Sequence, residues 1–440
     1  MTDALTSGSM SPGLLEVAER AKREPQAKFH SLAHLIDVEA LRRAFDHQKP
    51  SAAVGVDGVT KEQYGQDLES NLQDLHQRLR SKRWRHQPIR RVHIPKDGKG
   101  NTRPIGISCF EDKIVQEALR EVLAAVYEQD FRDCSYGFRP GRSAHDALRV
   151  LNRVVMNGEA KVILEADITS YFDSLDRSKL MEYLRERIPD GSITRLVGKC
   201  LHVGVLDGAQ FSTPDRGTAQ GSCLSPLLGN LYLHHVLDEW FEVEIRPRLR
   251  RRATLVRYAD DFIIGFELLE DAERVMEVLS KRLNKYGLTL QPDKTRLIPF
   301  ERPPQEQTKG KGPGTFDFLG FTWYWQRAKT GRWVLTSRTR RDRLKRSIQA
   351  LYRLCRRHRH WPIPKQHADL VRRIRGHVNY FGISGNGRHV ARLIAEAKMA
   401  WFKWLNRRSQ RSRLTWERYS RGLLRQYPLP EPRIVVSIWF

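Results

Sequence analysis

The 440 residues predict an α+β region followed by an all-α C-terminal region, and three observations carry that expectation. Apolar, β-prone runs such as Val162-Ile-Leu164 and Thr254-Leu-Val256 alternate with stretches of helical periodicity such as Asp271 to Tyr286. Beyond about residue 335 the strand-like runs stop, and Leu344, Ile348, Leu351, then Leu370, Ile374, Val378 recur at helical spacing, with a further amphipathic run from Leu393 to Leu405. Charge divides at the same place: between Arg338 and Phe440, 26 Lys and Arg stand against 5 Asp and Glu.

Taken in order, Met1 to Gly13 is small and polar and lacks the apolar stretch of a signal peptide, so residues 1–29 read as a flexible leader. Residues 30–335 hold the α+β pattern. The Lys309-Gly-Lys-Gly-Pro-Gly314 segment reads as a loop inside this region, because Phe316-Asp-Phe-Leu-Gly-Phe321 resumes strand-like character at once. Residues 336–440 form the helical remainder. A 40% hydrophobic content is enough for real cores, and the length exceeds one ordinary domain.

A formal net charge of +26 calls for a polyanionic partner, and nucleic acid is the expected one. No stretch approaches the roughly 18 apolar residues of a spanning helix, which argues against a membrane. Cys109, Cys134, Cys200, Cys223 and Cys355 are far apart with no Cys-x-x-Cys pair, so free thiols in a reducing cytoplasm are expected.

The chemistry concentrates in Ala253 to Phe266, where two β-prone runs flank Ala259 and Asp260 at a tight hairpin turn. Asp260 and Asp261 then stand at a strand tip, where adjacent acids repel unless cations neutralise them. A second apolar strand, Val162-Ile-Leu-Glu-Ala-Asp167, ends in another acid. If the strands are neighbours, the three carboxylates share a site fit for two Mg²⁺ ions and nucleotidyl transfer. An Asp-Asp pair by itself is more often a turn or a solvated cap, so its context decides.

That context is a series of ordered blocks. Tyr258-Ala-Asp-Asp261 resembles motif C of reverse transcriptases, and Glu165-Ala-Asp-Ile-Thr-Ser-Tyr-Phe-Asp173 resembles motif A. Arg216 to Asn230 is similar to motif B, Asn284 to Lys294 to motif D, and Phe318-Leu-Gly-Phe321 to the primer grip. Upstream, Gly55-Val-Asp-Gly-Val59, Ile94-Pro-Lys96 with Arg103-Pro-Ile-Gly-Ile107, and Ser135 to Ser143 match blocks of the bacterial group II intron enzymes. His377-Val-Asn-Tyr-Phe-Gly382, Trp404-Leu-Asn-Arg-Arg408 and Leu429-Pro-Glu-Pro-Arg433 resemble their thumb and maturase region.

The chain is thereby identified as resembling a group II intron-encoded reverse transcriptase and maturase of the type lacking an endonuclease domain. Two departures stand out: Ala219 precedes Gln220 where proline is usual, and the chain stops soon after Pro432-Arg433, which implies no second-strand cleavage of its own. The resemblance implies a right-hand polymerase, with fingers and a ferredoxin-like palm sheet over residues 30–335 and an all-α thumb and maturase domain over 336–440. It also implies roles. Asp167, Asp260, Asp261 and the Ile168 carbonyl would hold Mg²⁺, with Lys294 a general acid. Lys96, Arg103 and Arg90 would meet the dNTP triphosphate. Phe172 would exclude a ribose 2′-hydroxyl, while Gln220 and Gly221 line the base-pair pocket and Phe318, Leu319, Gly320 and Phe321 form the primer grip. Arg407, Arg408, Arg411 and Arg413 would bind RNA beside tryptophans that amphipathic spacing puts in the helical core. Tyr136, Phe138, Arg139 and Arg142 are either a template-positioning cluster or a packing corner.

The implied activity is RNA-directed DNA synthesis on intron RNA, with DNA target, primer and dNTPs as partners, in a bacterial, nucleoid-associated cytoplasmic setting, together with assistance to splicing. Two other readings remain open: a domesticated reverse transcriptase of defence or repair, and a binding-only splicing factor. The latter predicts lost carboxylates, whereas all three are present.

Overall fold

The computed structural model describes residues 10–95, 102–306, 313–409 and 414–439. Its strands, in chain order, are β1 (Ile89–Pro95), β2 (Thr102–Ile107), β3 (Val162–Asp167), β4 (Val205–Asp207), β5 (Gln210–Ser212), β6 (Ala253–Tyr258), β7 (Asp261–Phe266), β8 (Arg296–Pro299), β9 (Phe316–Phe318), β10 (Phe321–Arg327) and β11 (Trp333–Thr339). They form three four- or three-stranded sheets, with orders β2-β1-β4-β5, β6-β7-β3-β8 and β11-β10-β9. The chain is α+β, as its residue pattern predicts.

The central sheet is antiparallel throughout. Its β7-to-β8 connection is the helix Leu269–Lys285, which buries Ala272, Val275, Leu279 and Leu283 on one face. Glu270 and Asp271 in its first turn and Arg282 and Lys285 in its last suit the helix dipole. The helix Phe110–Asp130 is buried around most of its circumference and forms the spine of the largest core, together with Leu164, Phe262, Ile264 and Leu231. The C-terminal helices Arg341–Arg357, Ile363–Phe381 and Gly387–Asn406 close around their own core of Leu351, Leu370, Ile374, Leu393 and Trp401. All five cysteines are free. No helix among the described residues is long and apolar enough to cross a membrane.

Two expected boundaries are corrected. The leader expected over 1–29 contains a helix, Pro12–Arg23, which buries Leu14 and Ala21 and packs on Phe110–Asp130. Its apolar face is narrow, but the buried Arg187 adds hydrogen bonds to the Glu24 and Ala27 carbonyls just beyond it, at 3.2 and 2.9 Å. The expected division between 335 and 336 falls inside β11, which pairs with β10 along its whole length, so the sheet runs on to Thr339 before the first C-terminal helix begins.

Asp190 completes the N-terminal attachment. Its carboxylate, 5% exposed, accepts from the N–H groups of Leu32, Ala33, Ser192 and Ile193 at 2.6–3.1 Å. Burial raises its pKa, but the four donors outweigh burial and hold it below the ordinary carboxylate value. A depressed carboxylate stabilises the fold above its unfolded pKa of about 3.9, and that contribution is lost as pH falls through the folded value. Asp190→Ala is expected to cost roughly 2–3 kcal/mol in urea denaturation near neutral pH, with the gap from wild type narrowing in acid below about pH 4.

Candidate active site

The hairpin of β6 and β7 turns through Ala259 and Asp260, with Ala259 in the left-handed region at φ +57°. Registry sets Asp261 opposite Tyr258 on one side and opposite Asp167 of β3 on the other. Residues directly opposite share a sheet face, so Asp167 and Asp261 stand side by side with Asp260 on the adjoining turn. Burial and then the charges of Asp167 and Asp260 push Asp261 up to about 7, and burial with Asp167 also raises Asp260. The Leu319 backbone N–H works against that rise. Three carboxylates that resist joint ionisation form an all-oxygen donor set, which fits a hard divalent cation such as Mg²⁺. Ile168 follows as a buried residue bridged to Leu290. Lys294, on the turn Pro292–Lys294, ion-pairs with Asp167.

Beneath the turn lies Arg257, which has no exposed surface. All five guanidinium N–H groups are used: two on the Asp238 carboxylate at 2.7 and 2.5 Å, and one each on Asn230 Oδ1 at 2.9 Å, the Ala259 carbonyl at 3.0 Å and Ser135 Oγ at 2.7 Å. Asn230 in turn donates to the Gly137 carbonyl at 2.7 Å. A Cβ at Gly137 would collide with the Ala259 nitrogen, so glycine is what lets this segment lie against the turn.

Around this centre the other expected residues divide. Burial raises both Asp173 and Asp260, and Arg103, exposed on β2, works against that rise in each, so its charge reaches the cluster. Lys96 lies outside the described residues. Arg90 Nε and one of its terminal nitrogens donate to the Val54 carbonyl at 3.1 and 2.6 Å, tying the upstream segment to β1. Gln220 donates to Asp173 at 3.2 Å while its carbonyl accepts from Gly106 N–H at 2.5 Å. Gly221, at φ +117°, approaches the Gly106 carbonyl too closely for any side chain. The half-buried Phe172 ring rests against Gly229, where a Cβ would stand 3.1 Å from it.

Phe318 and Phe321 are core residues with 1% and 0% exposure, so the part of the expected grip that meets the site is the peptide turn between them. Leu319 and Gly320 both have positive φ, and the Leu319 carbonyl accepts from Tyr380 Oη at 2.9 Å. Arg411 and Arg413 lie outside the described residues. Arg407 is exposed over the Trp404 ring, whereas Arg408 is half-buried with one nitrogen on the Trp361 carbonyl at 3.2 Å. Trp401 is a core residue and Trp416 is exposed. Arg139 is a buried packing residue that donates to Glu128 and to the Arg132 and Ser135 carbonyls.

Residues 94–323 match the family model described as reverse transcriptase (RNA-dependent DNA polymerase), which is more than half of the chain. The chain belongs to the reverse transcriptase family. Among curated relatives, Protein YkfC of Escherichia coli (strain K12) is 33% identical over 282 residues, covering 57% of this chain and 74% of that protein. Group II intron-encoded protein LtrA of Lactococcus lactis subsp. cremoris is 38% identical over 185 residues, 42% of this chain and 30% of LtrA. The uncharacterized 91 kDa protein in the cob intron of Schizosaccharomyces pombe is 42% identical over 167 residues, and there the match spans 38% of this chain and 20% of the relative. Two of these three relatives are intron proteins by name, and the match of this reverse transcriptase spans only a minor part of each of them.

Four residues of this reverse transcriptase's site escaped the sequence analysis: Arg257, Asp238, Asn230 and Arg91, the last of which works against the burial that raises Asp173 beside Gln220. The available signal was an arginine inside an otherwise apolar strand, a position where an unpaired charge is untenable. Arg257→Met is expected to cost about 3–5 kcal/mol in equilibrium unfolding because it strands Asp238. The double variant Arg257→Met with Asp238→Leu is expected to recover part of that loss.

Proposed function

We propose that this chain is the RNA-directed DNA polymerase of a group II intron ribonucleoprotein, copying intron RNA into DNA from a primer and assisting splicing. The observation that carries the reading is the registry of Asp167 opposite Asp261 with Asp260 on the adjoining turn. The central sheet, with its β3-helices-β6-β7-helix-β8 order, serves as a ferredoxin-like palm; the β1–β2 sheet belongs to the fingers, and the C-terminal helices act as thumb and maturase surface.

With divalent cations bound, two Mg²⁺ in this reading, the site gains the Lewis acidity that two-metal nucleotidyl transfer uses. Asp167, Asp260 and Asp261 are the ligands, with the Ile168 carbonyl beside them. Arg103, with Lys96, draws in the triphosphate. Gln220 and Gly221 border the nascent base pair. Phe172, braced by Gly229, closes the space a ribose 2′-hydroxyl needs. Lys294, already within reach of Asp167, is placed to donate a proton to departing pyrophosphate. Arg407 and its basic neighbours take RNA phosphates, with the exposed Trp416 available to stack on an unpaired base.

The test is primer extension on an RNA template with dNTPs and, in parallel, rNTPs. Asp260→Ala is expected to lower kcat on the order of a thousandfold, since several kcal/mol of charge stabilisation depends on it, without loss of RNA affinity. Phe172→Ala is expected to raise relative use of rNTPs roughly tenfold or more while dNTP synthesis persists. Absence of synthesis by a folded, RNA-binding wild type would reject the polymerase in favour of a binding-only splicing factor.

A further inference from the structure

The helix Val38–His47 packs against Phe110–Asp130, and at its C-terminal end a second polar cluster forms. His47 Nδ1 lies 3.4 Å from Glu117 Oε1 and 3.5 Å from Glu121 Oε1, and all three atoms fall within 4.8 Å of one another. Glu117 and Glu121 are one turn apart, so both carboxylates reach the same face of their helix.

Three features of this cluster point to a missing occupant. First, Glu121 Oε1 accepts no hydrogen bond although the residue is only 1% exposed, an unsatisfied buried oxygen aimed at the imidazole. Second, the separations are long for hydrogen bonds, whose usual length is about 2.9 Å. They match instead the edges of a tetrahedron of N and O ligands at bond lengths of about 2.0–2.2 Å, which are roughly 3.3–3.6 Å. Third, both carboxylates are braced by guanidiniums: Arg120 donates to Glu117 Oε2 at 3.0 Å and to its Oε1 at 2.6 Å, and Arg43 approaches Glu121 Oε2 at 3.5 Å. Such support orients metal-binding carboxylates.

We propose that His47, Glu117 and Glu121 bind a divalent transition metal of the Zn²⁺ type, which fastens the N-terminal helix to the long core helix. The two guanidiniums offset the two carboxylates, so a purely electrostatic ion such as Mg²⁺ gains little here, whereas imidazole ligation favours a borderline-soft ion. His47, with a 41% exposed side chain, gives the ion a way in and leaves its remaining position open to water. The site is separate from the three catalytic carboxylates and does not depend on the polymerase reading.

The experiment uses the full chain, stripped by a chelator and re-equilibrated in excess Mg²⁺, titrated with Zn²⁺ by calorimetry and with Co²⁺ by visible absorption. About one ion per chain is expected, with the absorption of low-coordinate Co²⁺, and Asp260→Ala is expected to leave both unchanged. Glu121→Gln, nearly isosteric, and His47→Ala are each expected to weaken binding at least about tenfold. Circular dichroism and RNA affinity serve to verify folding, and either folded variant suffices. Failure to bind in excess Mg²⁺, binding that persists in both variants, or binding lost in Asp260→Ala would each overturn the proposal.

Discussion

The guanidinium of Arg257 is the joint on which the carboxylate end of the molecule depends. A charge without exposed surface is tolerable only when every donor is paired, and here the partners come from four separate segments. Strand β6 supplies the arginine, the stretch around Ser135 and the helix Ser225–Leu233 supply side-chain oxygens, the π-helical turn His234–Asp238 supplies the counter-charge, and Ala259 supplies a carbonyl. None can shift alone without leaving a buried donor unsatisfied. The wide π turn at Asp238 belongs to a class of irregularity found often beside functional sites.

That rigidity lets the sheet hold three mutually repelling carboxylates at one end. The groups that ease the repulsion differ in kind: Arg257 and Arg103 oppose the rise of Asp260 from a distance, the Leu319 N–H opposes that of Asp261, and Lys294 pairs with Asp167. Even without cations the cluster is partly neutralised, which is how an acid-rich turn survives in an otherwise apolar hairpin.

What could be read from the sequence follows the range of the interactions involved. The β6–β7 hairpin and the helix Leu269–Lys285 were legible because alternation and helical periodicity are local signals. The Pro12–Arg23 helix was not, since mostly polar residues surround its narrow apolar face and its receptor lies about a hundred residues away. Arg90 and Arg103 carry the same chemistry, and only folding shows that Val54, 36 residues upstream, occupies the first. Arg257 was hidden for a similar reason: its partners lie 19, 27 and 122 residues distant, so no window around Tyr258 contains them.

Leu319 shows where side-chain reasoning stops altogether. Its peptide N–H holds down the pKa of Asp261 and its carbonyl accepts from Tyr380 Oη, while the aromatic residues on either side face the core. An alanine scan across Phe318 to Phe321 would register the packing of the two rings and of Leu319 and pass over the N–H that acts on the acid, because that group belongs to the main chain. Replacing the amide linkage by an ester through chemical ligation would delete the donor and leave every side chain intact. The residue at 319 must therefore satisfy the core with its side chain and the left-handed region with its backbone, and only the second of these demands bears on the acid.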